Sequence, residues 1–65
     1  MQIIYKKHAL EMMTDRGITN KQIETAIKMG SKFKQTDGFL AKYSYFSVAY
    51  KKIGDKYIVK TVYID

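Results

Sequence analysis

The chain's single histidine, His8, and its single arginine, Arg16, stand eight residues apart in the stretch HALEMMTDRGI. An imidazole exchanges a proton near neutral pH, and a guanidinium is a permanently charged fork that grips phosphate through two donors. On a helix, His8, Met12 and Arg16 follow one another along one flank at i, i+4 and i+8, so the two polar heads could share a groove between that helix and a neighbouring layer. Arg16 falls inside the apolar arc of Ala9, Met12 and Met13, with Glu11 and Asp15 on the opposite side. A purely structural role fits the same spacing. An arginine in a last turn complements the helix dipole and snorkels its head to water, and a histidine in a first turn is an ordinary partly buried residue. Periodicity alone favours that second reading.

Propensity predicts a helix from about Lys7 to Arg16, with Gly17 able to supply the left-handed residue that ends it. A second helix is marked by the T-x-x-Q spacing of a capping box at Thr19 and Gln22. Ile18 and Ile23 have the spacing of a hydrophobic staple around that cap, Ile23, Ala26 and Ile27 form one apolar stripe, and Gly30 stops the helix. The opening MQIIY reads as an edge strand or an extended lead-in. After Gly30 the pattern alternates, and Ser31–Thr36, Phe39–Tyr45, Tyr45–Ile53 and Tyr57–Ile64 read as strands of an antiparallel meander. The division at Tyr45 is open, since Phe39 to Ile53 could be one long bent strand. The expected class is therefore α+β, with two N-terminal helices packed on a three- to four-stranded antiparallel sheet. The helices should cover one sheet face and leave the other to solvent or a ligand. In the last strand, alternation puts Ile58, Lys60, Val62 and Ile64 on one face and Tyr57, Val59, Thr61 and Tyr63 on the other. A strand apolar on both sides belongs in the middle of a sheet, or at an edge that a partner covers.

Sixty-five residues make one domain, 1–65, with room for a single small core. With no cysteine and one histidine, neither disulfides nor a structural zinc site can staple it, and no metal or other cofactor is expected. No phosphate loop and no pair of carboxylates at catalytic spacing is present. The excess of 12 Lys plus Arg over 6 Asp plus Glu, a formal charge of +6, suits a polyanionic partner; it equally suits a small domain that uses lysines for solubility. No apolar run reaches the roughly 20 residues that cross a bilayer, and no signal peptide is recognisable, so a cytoplasmic protein without a membrane partner is expected.

The segments HALEMMTDRGIT, IETAIKMG and YIVKTVY together resemble a family of small bacterial and phage domains grouped with the RelE-like toxin ribonucleases. A His-Ala opening, an Arg-Gly-Ile turn, a helix ending in glycine and a final Val-x-Thr-Val strand carry the resemblance over nearly the whole chain. It implies a RelE-like fold and metal-independent cleavage or binding of RNA, with His8, Arg16 and Thr61 as the positions of interest.

Metal-free RNA cleavage needs a base for the 2′-hydroxyl, an acid for the leaving oxygen and cations for the phosphorane. His8 could be the base or the acid, and Arg16 the phosphate contact; Lys42, Lys60, Tyr43 and Tyr63 could add donors. One histidine cannot fill both proton-transfer roles. The six tyrosines and three phenylalanines, mostly interleaved with lysines after Gly30, could instead stack unpaired bases while the lysines track phosphates, although core packing is the commoner use of such rings. Lys51, Lys52 and Lys56 around the Gly54-Asp55 turn read as a solvated hairpin tip or as extra phosphate contacts. Two functions follow. The resemblance puts a toxin-type ribonuclease acting on RNA, with a protein antitoxin as partner, slightly ahead. The alternative is a non-catalytic module, such as a phage-borne modulator, that binds nucleic acid or another protein.

Overall fold

The computed structural model describes residues 1–65. The elements run β1 (Gln2–Tyr5), α1 (Lys7–Arg16), α2 (Asn20–Met29), β2 (Ser31–Gln35), β3 (Gly38–Tyr43), β4 (Phe46–Ile53) and β5 (Lys56–Ile64). All five strands join one sheet in the order β1-β5-β4-β3-β2. The four strands from β2 to β5 form the antiparallel meander, but β1 lies parallel to β5, with Ile3 opposite Tyr57 and Ile4 opposite Ile58. The expected three- to four-stranded antiparallel sheet is thus overturned: the sheet is five-stranded and mixed. The reason is local. The opening segment, open in the sequence between an edge strand and an extended lead-in, is the edge strand, held there by packing of Ile3 and Tyr5 against the core.

Both helices form where capping and apolar spacing favour them. Gly17, at φ 67°, closes α1 by turning its amide onto the Met13 and Thr14 carbonyls. The cap of α2 is reciprocal: the Thr19 side chain accepts from the Gln22 amide, and the Gln22 side chain accepts from the Thr19 amide at 2.8 Å. Gly30 ends α2 in an extended conformation, and its lack of a side chain is what matters. A Cβ there would sit 2.6 Å from the Ala26 carbonyl oxygen and 2.7 Å from that of Lys42.

Both helices lie on the same side of the sheet, α1 against β5 and α2 against β3 and β4. Ala9, Met13, Ile18, Ile23, Ala26 and Ile27 meet Ala41, Phe46, Val48, Tyr50, Val59 and Val62 in one buried cluster. Strict alternation puts Val59 and Val62 on opposite faces. A bulge corrects this: Ala49 pairs with Thr61 and Tyr50 with Val59, so Lys60 is left without a partner and both valines face the helices, each fully buried. The other side of β5 then carries Ile58, Thr61 and Tyr63. β5 lies between β1 and β4, which accounts for its two apolar sides. No helix is long and apolar enough to cross a membrane.

Candidate nucleic-acid interface

The sheet face away from the helices has no covering layer. Its side chains follow from register. The row Phe33, Leu40, Ala49, Thr61 runs beside the row Ser31, Lys42, Ser47, Tyr63, and Lys51 pairs with Ile58, which in turn neighbours Ile4. Ser47 and Ala49 are only 3% exposed although no helix is packed over them, because these small residues sit between longer neighbours and the Asp65 carboxylate lies against the Ser47 hydroxyl. They make a low floor. Tyr63 and Phe33, half exposed at 50% and 52%, stand at its sides.

Three lysines of this face, Lys42, Lys51 and Lys60, are already paired. The Asp37 carboxylate, in the β2–β3 turn, lies 3.2 Å from the Lys51 ammonium and 3.9 Å from that of Lys60, and Lys60 also donates to the Asp37 carbonyl. The hydrogen bond and charge of Lys51, followed by the charge of Lys60, hold the Asp37 carboxyl below its ordinary range. At the other end, Asp65 lies 3.9 Å from the Lys42 ammonium, and the Ser47 hydroxyl donates to both its carboxylate oxygens at 3.2 Å. Exposed pairs of this kind contribute about 0 to 1 kcal/mol each, so an incoming phosphate can exchange with them at small cost.

The residues singled out in the sequence divide between the two sides of the sheet. Lys42, Thr61 and Tyr63 lie on the helix-free face by register, and Lys60 meets Asp37 at the end of that face opposite to Lys42. Tyr43 is on the helix side, edge-on to Phe46 with ring centroids 6.3 Å apart. His8 and Arg16 are exposed on α1, in the layer beyond the sheet. Eight residues of helix separate their backbones by about 12 Å along the axis. His8 lines a shallow depression together with Lys7, Met12, Glu11 and Asp15, and Arg16 is not part of it. Two carboxylates against one lysine give that depression the wrong sign for a phosphate. No group of three or more His, Asp or Glu side chains converges as metal ligands would.

Lys51, read in the sequence as part of a solvated hairpin tip or as an extra phosphate contact, belongs to the open face, and so do Phe33 and Ser47, which sequence reasoning does not single out. Their signal was parity with Lys42 and Tyr63, which becomes readable only once strand pairing is known.

Residues 5–64 match the model of a family described as a domain of unknown function, DUF4258. No curated protein and no solved structure matches the chain. The family match carries no link to the RelE-like toxin ribonucleases, and the mixed five-stranded sheet departs from the architecture that resemblance implied. With the match spanning all but the first four residues and the last, the chain belongs to the DUF4258 family.

Proposed function

We propose that this protein is a non-catalytic binding module of the cytoplasm that holds single-stranded RNA on the helix-free face of its sheet. One observation carries the reading: strand register puts Phe33, Tyr63, Lys42 and Lys51 on the one side of the sheet that no helix covers, and Lys60 meets the same Asp37 carboxylate as Lys51. Rings standing on an open sheet stack unpaired bases, and lysines among them follow the phosphates. The small side chain of Ala49 leaves room for a planar base beside Thr61 and Leu40. The Thr61 hydroxyl, beside Tyr63, offers a partner for a ribose 2′-hydroxyl, the group that separates RNA from DNA. Catalysis forms no part of this reading, because His8 and Arg16 lie across the sheet from Thr61 and the ground beside His8 is acidic.

The test is titration of a fluorescent oligouridylate over a range of salt. Tyr63→Ala is expected to weaken binding by about 5- to 150-fold, the loss of one stacked base. Lys42→Gln, Lys51→Gln and Lys60→Gln should each reduce the slope of log affinity against log salt by about 0.7. His8→Ala and Arg16→Ala should change neither quantity. Binding indifferent to Tyr63 overturns the proposal, and so does RNA cleavage in EDTA that depends on His8 or Arg16.

A further inference from the structure

We infer that Ser47 and Lys42 form a phosphate subsite of the open face, and that Asp65 fills it in the free protein as an internal competitor. This rests on the reading that the face binds RNA.

Ser47 is the one polar residue among the buried side chains, and its hydroxyl is spent on both oxygens of the Asp65 carboxylate at 3.2 Å. The Lys42 ammonium, on the neighbouring strand and in register with Ser47, lies 3.9 Å from the same carboxylate. A second tie fixes the position of Asp65: its backbone amide donates to the Tyr45 carbonyl at 2.9 Å. A buried hydroxyl donor beside a half-exposed ammonium is the donor set that a non-bridging phosphate oxygen accepts from, and a carboxylate is the side chain that most resembles it in charge and geometry. The Asp65 carboxylate therefore stands in for phosphate. The subsite adjoins Tyr63, which pairs with Ser47 from the strand on the other side, so a nucleotide whose base stacks on that ring brings its phosphate within reach of the same hydroxyl.

Displacement requires no rearrangement of the sheet. Asp65 follows the last residue of β5, and only its side chain has to turn away. Bound RNA and the Asp65 carboxylate are then alternatives for one pair of donors, and removing the carboxylate raises affinity without adding any contact.

The experiment compares Asp65→Ala with Glu11→Gln, which removes one negative charge from the far side of the molecule. Oligouridylate should bind Asp65→Ala more tightly than the unaltered chain by about 10-fold or more, the scale of one hydrogen bond to a charged group. Glu11→Gln should leave affinity within about 2-fold, because an exposed distant charge is screened. The gain should disappear when Asp65→Ala is combined with Ser47→Ala or Lys42→Gln. A second arm uses inorganic phosphate alone, followed at the amide resonances of Ser47 and Lys42, which should respond in Asp65→Ala and stay still in the unaltered chain. Equal gains in Asp65→Ala and Glu11→Gln, or no phosphate response in Asp65→Ala, overturn the subsite. Oligouridylate binding that depends on Tyr63 would then leave the RNA reading standing, and a phosphate response without any oligouridylate binding would sink that reading alone.

Discussion

The two faces of this sheet are made by alternate residues of the same strands, and they are stabilised by different physics. On the covered face, Val48, Val59, Val62 and Phe46 are sealed beneath Ala9, Ile23 and Ala26, and none of these is more than 1% exposed. On the open face the corresponding neighbours are Ser47, Ala49, Thr61 and Tyr63, bordered by lysines that hold Asp37 and Asp65. Dehydration of apolar surface holds the first together. The second is held by contacts that water and ions can replace. A domain this small keeps its stability on one side, which leaves the other free to exchange partners.

The largest expected effect separates the faces directly. Ile23→Ala should cost about 2 to 5 kcal/mol, because it empties volume in a closed layer, and should lower Tm by about 8 °C or more. Tyr63→Ala should cost less than about 1 kcal/mol, since its ring is half in solvent already. Circular dichroism melts of the two variants decide this. Equal losses would mean that the open face is part of the structural core.

A smaller effect belongs to the turn where the faces meet. Ser44 links β3 to β4 at φ 57°, a left-handed conformation that costs a residue with a side chain about 1 to 2 kcal/mol. The next residue, Tyr45, accepts from the Gln22 side chain on the helix side and offers its carbonyl to Asp65 on the other. Ser44→Gly should therefore raise stability by up to about 1 kcal/mol, after the greater chain entropy of glycine is subtracted. A lower Tm would show that the serine side chain contributes something the turn geometry does not.

The faces should also fail at opposite ends of the pH scale. Burial raises the phenol of Tyr5, helped by the charge of Glu24, and burial raises that of Tyr50, helped by Tyr57. Folded values above the unfolded ones mean that this stability is intact below about pH 10 and is lost as pH rises through the folded values. Asp37 is shifted the other way, by Lys51 and then Lys60, so its contribution is present above the ordinary carboxylate range and is lost as pH falls through its depressed value. Tyr50→Phe should flatten the alkaline limb of a Tm–pH curve, and Asp37→Asn should flatten a shallower acid limb. An acid limb unchanged in Asp37→Asn would remove the carboxylate's tie from the account.

Much of the covered face was legible in the sequence, because local signals specify it. The Thr19 and Gln22 cap, the Ile23, Ala26 and Ile27 stripe and the alternation after Gly30 each depend on residues close in the chain. What escaped depends on pairing between distant segments. β1 could be read as an edge strand, but its parallel pairing with β5, which makes the sheet mixed and five-stranded, could not. The bulge at Lys60 carries no glycine or other mark, yet it moves Val62 from one face to the other. The turn at Ser44 is equally silent, since serine rarely adopts that conformation. The candidate site shows the same division. Lys42, Lys60, Thr61 and Tyr63 could be named from their types, but that Lys42, Thr61 and Tyr63 share a face with Ser47 and Lys51, while Tyr43, His8 and Arg16 do not, is a property of register.

The choice between the faces can be measured in one titration of the ¹⁵N-labelled protein with a short oligouridylate at low salt. Amide shifts concentrated at Phe33, Leu40, Lys42, Ser47, Thr61 and Tyr63, with residues His8 to Arg16 unmoved, are the expected result. Shifts gathered along α1 around His8 and Arg16, with the open face silent, would contradict it.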